Sequence, residues 1–225
     1  MRKLLTTLTL LLAPTFSGAA DLSYQFTGLL TSVTDQYGFL SGQFSPGNLI
    51  SGIVTYESTT TEGVTSLGDP TFGIYAAIRH FRVSVNGYII EGSPTSLPGY
   101  LQVWDDRVIG SSLVDAVTFG SPLDYTPPIS GMGSGTVVAS AQVNLFDFNH
   151  SASHNGKTLP TVIDYADYAS RSFSALQLNI NTNQVFHLNG SILTLTPVPE
   201  PDVQLLMALG LLFITCLHSK RKEAS

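Results

Sequence analysis

Along the interior of this 225-residue chain, apolar residues return every second position rather than every third or fourth. Phe81-Arg82-Val83-Ser84-Val85 alternates without a break, the pattern of a strand with one face buried and the other wet. The same period, rich in aromatic and β-branched residues, predicts strands over residues 22–33, 49–56, 78–85, 88–91, 100–104, 116–119, 136–146, 172–180 and 185–196. Asn86-Gly87 follows one of these runs directly and signals a two-residue hairpin turn whose central positions both need positive φ. Ser45-Pro46-Gly47, Ser93-Pro94 and Pro127-Pro128 punctuate the remainder, and only residues 165–171 hint at a helical turn. Strands at this spacing predict an all-β domain built as a single antiparallel β-sandwich, with a jelly roll as one version. No internal repeat is visible, which disfavours propellers and solenoids.

Both ends break the pattern. Arg2 and Lys3 precede an apolar stretch over residues 4–12, and the small residues Ser17, Gly18, Ala19 and Ala20 come just before Asp21. That order predicts a secretory signal peptide over residues 1–20, cleaved after Ala20. The apolar run is too short to span about 30 Å of hydrocarbon and is closed by Pro14, which argues against a membrane anchor. No cysteine follows the cleavage region, so an N-terminal lipid anchor is disfavoured too.

At the other end, residues 203–217 are apolar except for Gln204. A helix of that length covers roughly 22 Å, a little short of a bilayer core. His218 and Ser219 extend it, and Lys220, Arg221 and Lys222 can carry their charges to the far interface on long stems. Basic residues after an apolar segment favour leaving that end in the cytoplasm, so the pattern predicts a C-terminal transmembrane helix with a stop-transfer cluster.

Val198-Pro199-Glu200-Pro201, then a short hydrophobic helix, then a basic cluster, together resemble the PEP-CTERM sorting signal of exported bacterial proteins. The resemblance implies a motif at residues 198–201, a helix at 203–217 and a stop at 220–222. It also implies two processing partners: signal peptidase, and an exosortase-type membrane protease that recognises the Pro-Glu-Pro motif. Asp202 and Gln204 stand where that family more often has small or apolar residues. Residues 23–33, 50–56 and 81–88 are similar to the β-sandwich domains that many such proteins carry, which are mostly without an assigned activity. The family is often associated with exopolysaccharide and biofilm, so extracellular polysaccharide is an implied partner.

Charge narrows the picture. Between residues 21 and 199 there are five cations, Arg79, Arg82, Arg107, Lys157 and Arg171, against thirteen acids, a formal charge of −8. Scattered arginines on an acidic domain exclude nucleic acid as a partner, because phosphates demand clustered cations. They argue against anionic membrane surfaces as well. Cys216 is the single cysteine and lies in the C-terminal segment, so the exported domain at 21–197 has no disulfide and must hold together by its core. A chain of this size can bury around 70% of its surface.

Candidate chemistry is sparse, and the expectation is a domain without enzymatic activity, metal or cofactor. His150 and His154 are four apart with Asp147 nearby, but they sit among serines, Asn155 and Gly156 in a stretch that reads as a polar loop rather than a helix presenting two ligands. Asp105-Asp106 has the oxygen donors of a calcium site and the position of a solvated turn. The glycine-rich stretch 131–135 lacks the βαβ context and lysine of a phosphate loop, and there is no Gly-x-Ser-x-Gly elbow. Paired carboxylates stay open because such pairs meet in space. Trp104, Tyr100, Tyr125, Tyr165 and Tyr168 are candidates for stacking on sugar rings, although aromatics of a sandwich usually fill its core.

Two functions follow. The first is an exported, non-enzymatic surface or extracellular-matrix protein, held briefly at the membrane by its tail and then transferred to the cell surface or released. The alternative is a secreted carbohydrate-binding or carbohydrate-active module. A face of short polar side chains favours the first, and exposed aromatics with convergent carboxylates favour the second.

Overall fold

The computed structural model describes residues 21–36, 38, 42–63, 68–92, 99–126, 137–149, 156–179 and 183–199. They contain nine strands: β1 (Asp21–Asp35), β2 (Leu49–Glu57), β3 (Phe72–Val85), β4 (Tyr88–Gly92), β5 (Gly99–Ile109), β6 (Ser112–Thr126), β7 (Val137–Asp147), β8 (Ser170–Asn179) and β9 (Gln184–Val198). Each corresponds to one stretch of alternation in the sequence. The turn hinted at over 165–171 is a single 3₁₀ turn at Tyr165–Asp167, after which the chain enters β8. Among the described residues no helix is long and apolar enough to cross a membrane.

All nine strands belong to one antiparallel sheet, and the pairing runs full circle. β1 pairs with β2 on one side and with β9 on the other, while β2 continues into β3. β6, β7, β8 and β9 follow in order. The gap between β3 and β6 is filled by two strands end to end: β4 pairs the later part of β3, and β5 pairs the earlier part. Both pair β6 as well, so β4 and β5 act together as one stave. The two sheets of the expected sandwich are thus joined into a single up-and-down closed sheet. Closure removes every long free edge, which is where β proteins are prone to aggregate.

The alternation explains what fills the interior. Phe26, Val54, Phe81, Val83, Leu101, Phe119, Val143, Phe173 and Leu188 point inward and are fully or almost fully buried. Phe26 meets Phe81 at 6.5 Å between ring centroids, and Tyr56 meets Phe119 at 5.9 Å. Outward positions are mostly polar, the reverse of a membrane-spanning barrel. Gly52 is an inward position without a side chain: an added Cβ would run into the Phe26 ring and the Arg82 carbonyl, so the glycine makes room for the phenylalanine.

Each end of the barrel is plugged. At one end Phe44 packs on Tyr88 and Phe186, at 5.0 and 5.9 Å. At the other, residues 156–169 fold under the barrel and bury Leu159, Ile163 and Tyr168. At the Asn86-Gly87 turn the φ angles are +48° and +84°, as a type I′ hairpin requires.

Candidate functional site

The outer wall carries a shallow groove of about 490 Å³ over β1, β2, β3 and β4. Its floor follows from register: Gln25, Ile53 and Arg82 lie side by side on successive strands, and Ser51, Ser84 and Ile89 form the next row. Val198, the last residue of β9, stands at its margin. Arg82 is the single charged residue among these lining positions. His80 lies on the same face one row away, with Nε2 3.2 Å from a Glu91 carboxylate oxygen. Arg79 is paired with Glu57. No aromatic ring lines this groove.

The aromatic candidates are elsewhere. Register places Phe72, Trp104, Ala116 and Phe146 in one row across β3, β5, β6 and β7. Trp104 stands at 62° to Phe146 with 5.7 Å between centroids, and the Arg107 guanidinium covers Phe72 and Trp104 at 4.5 and 5.0 Å. Tyr100 lies over Gly120, and its hydroxyl accepts a 2.6 Å hydrogen bond from Gln142. These side chains form a second, outer core over β6, which is why Val114, Ala116 and Thr118 are buried although Val117 and Phe119 face the other way. Tyr165 carries Arg171 over its ring at 3.8 Å, and Tyr168 is buried. Phe148 is the exposed member of the aromatic group, stacked on Phe146 at 6.2 Å.

The polar interior lies at the barrel's lower end. Tyr24 and Tyr56 stack at 6.2 Å with rings 9° from parallel. The Tyr56 hydroxyl donates to the Pro160 carbonyl at 2.7 Å, and the Ile163 N–H donates to the Tyr24 oxygen at 2.9 Å. Burial raises the Tyr56 phenol far above its ordinary range, helped by Tyr24. Tyr168 is raised likewise, first by burial and then by Asp167, Asp115 and Asp147. Lys157 ties the same segment to the loop after β2, donating to Glu62 Oε1 at 2.7 Å and to the Asp69 carbonyl at 2.8 Å. Hydrogen bonds from the backbone and hydroxyl of Thr71 hold the Asp69 carboxyl below its usual range.

Comparison of the chain with family models, with curated proteins and with solved structures finds nothing that matches. The chemistry must be read from the geometry.

One carboxylate pair does meet in space. Asp115 and Asp147 are cross-strand neighbours on β6 and β7, and both are buried. Asp115 Oδ1 accepts the Asp106 N–H at 2.8 Å, and Asp147 Oδ1 accepts the Asn149 N–H at 2.8 Å. Each holds a bend of backbone, and burial leaves a substrate no access. Asp105-Asp106, expected as a turn or cation site, is a bulge inside β5, with Asp106 at φ +53°. No group of three or more metal-ligating side chains occurs among the described residues. His187 lies on β9, and Tyr125 on β6.

Of the sorting residues, Val198 closes β9 and Pro199 is exposed beyond it. Ala20, Glu200, Pro201, Lys220, Arg221 and Lys222 lie outside the described residues, as do His150, His154 and the stretch 131–135. Sequence reasoning missed Tyr24, Tyr56, Asp115 and Lys157. Asp115 had a signal, a lone acid within Leu113-Val114-Asp115-Ala116-Val117, where an unpaired charge would be costly.

Proposed function

We propose that this is an exported, non-enzymatic bacterial surface or matrix protein with a closed, sandwich-like β domain, processed at both ends and delivered through its C-terminal sorting signal. One observation carries the reading. Among the described residues the first strand runs from Asp21, next to the expected cleavage point, the last ends at Val198, where the Val-Pro-Glu-Pro motif begins, and the two pair to close the barrel. Among the described residues the core is built from side chains between Tyr24 and Leu195, inside the span that this reading assigns to the mature domain. Proline lacks the N–H of a helical hydrogen bond and disfavours helical backbone in the residue before it, so the sequence Pro199-Glu200-Pro201 suits a protease that accepts an extended chain.

The groove favours the surface-or-matrix reading over the sugar-stacking one. Its lining mixes Gln25, Ser51, Ser84 and Arg82 with Ile53, Ile89 and Val198 and holds no ring to stack on a sugar, whereas Trp104 is engaged by Phe146 and Arg107. Mass spectrometry of the two ends of the protein from its native host tests the proposal. The mature chain should begin at Asp21 and lack residues 203–225, and Glu200→Ala should leave the tail attached and membrane-bound. Recovery of wild-type protein still carrying Lys220 to Ser225 would mean a single-span anchored protein instead.

A further inference from the structure

The β5–β6 hairpin runs past the barrel. β5 last pairs with β3 at Phe72–Trp104, and β6 first pairs with β7 at Asp115–Asp147. Beyond those points residues 107–114 pair only with one another, as Arg107–Val114, Val108–Leu113 and Ile109–Ser112. The result is a two-stranded ribbon turning at Gly110, whose φ is +63°. Such a ribbon has no core of its own, yet its tip is apolar: Val108 is 69% exposed, Ile109 44% and Leu113 43%. Phe148 and Val162, half or more exposed, lie at the same end of the barrel.

That is also the end from which the tail leaves. Val198 pairs with Ser23 beside the start of β1, and the ribbon stands across the ring from β9, three strands away one way and four the other. The apolar run 203–217 begins five residues after Val198, so at about 3.3–3.6 Å per residue the barrel end cannot be more than roughly 18 Å from where that run starts. A membrane holding the tail would therefore face this end, with the ribbon on the side opposite the anchor.

We infer that the ribbon tip is a lipid-contact site: while the tail is inserted, Val108, Ile109 and Leu113 seat in the membrane interface and fix the barrel upright in a two-point stance. The inference rests on the reading of residues 203–217 as a membrane segment. Its occupant is the bilayer surface, because the short tether places a bilayer against the tip, and three apolar side chains on a narrow ribbon suit the headgroup–acyl boundary.

The test uses the full chain in phosphatidylcholine vesicles, with Cys216→Ala and a single environment-sensitive dye on Ser111→Cys at the tip or Ser45→Cys at the opposite end. Doxyl-labelled phosphatidylcholine is the quencher. The tip label should shift to the blue and lose most of its emission, while the Ser45 label stays unquenched. Val108→Ser, Ile109→Ser and Leu113→Ser together should abolish tip quenching without changing co-sedimentation or the thermal melt. Co-sedimentation with equal quenching at both labels, or a triple variant still quenched at the tip, overturns the lipid contact alone. Failure to co-sediment overturns the tail reading and the contact with it. A blue shift without vesicles, accompanied by a dimer mass, makes the tip a self-association surface and overturns the proposal.

Discussion

Replacing Tyr24 and Tyr56 by phenylalanine isolates what holds the lower plug in place. The rings are parallel, so phenylalanine keeps the stack and only the oxygens are lost. Tyr56→Phe removes a buried 2.7 Å donor from the Pro160 carbonyl. A carbonyl has two lone pairs and tolerates a missing partner, so about 1 kcal/mol is expected. Tyr24→Phe removes the acceptor of the Ile163 N–H, which lies above a fully interior side chain with Ile163 only 4% exposed. An orphaned buried N–H is the costlier defect, and about 2 kcal/mol is expected. The hydroxyls also interact with each other, so the double variant should cost less than the sum. Urea unfolding followed by circular dichroism gives the totals, and hydrogen exchange at Ile163 gives the local effect. If Tyr24→Phe costs less than about 0.5 kcal/mol and Ile163 exchange is unchanged, the hydroxyls do not secure the plug and the argument fails.

The raised Tyr56 and Tyr168 phenols fix the direction of an alkaline transition. The unfolded chain loses these protons first as pH rises above about 10, so stability present below that pH falls above it. Absorbance at 295 nm should show these two ionising only as the barrel unfolds, and Tyr56→Phe should weaken the decline. Lys157→Met should cost about 1 kcal/mol, a charge-assisted bond discounted for side chains about a fifth exposed, and part of that loss should vanish in 1 M salt. Gly52→Ala should destabilise by about 1–3 kcal/mol through overpacking, and Phe26→Leu in the same chain should restore part of the melting temperature.

The strands were legible because alternation survives wherever one face is wet. Where both faces are covered it disappears: β6 is continuously buried from Val114 to Ser121, and only residues 116–119 read as strand. β3 was read from residue 78 although it begins at Phe72, since Gly73 and Ala76-Ala77 carry little strand signal. Asp105-Asp106 looked like a terminus because a bulge at positive φ uses the same residues as a turn. Closure of the sheet could not be read at all, as nothing local in Ser23 or Val198 announces that they are partners. The same holds for the Asp115–Asp147 pair and the Lys157 bridge, which join residues far apart in sequence.

The β1–β9 pairing also sets a clock for folding as the chain emerges. In a chain made from its N-terminus, the strand that emerges first must wait for the one that emerges last. Until β9 has emerged, β1 can zip to β2 but keeps its other edge open, and no hairpin formed earlier can seal it. Native closure is therefore late and depends on the most distant contact the domain makes, the kind of step that slows folding. Until then the chain is an open sheet, vulnerable to pairing with neighbours. Under the proposed sorting, the apolar run 203–217 follows Val198 by five residues, so a membrane would take hold of the chain at nearly the moment the barrel can shut.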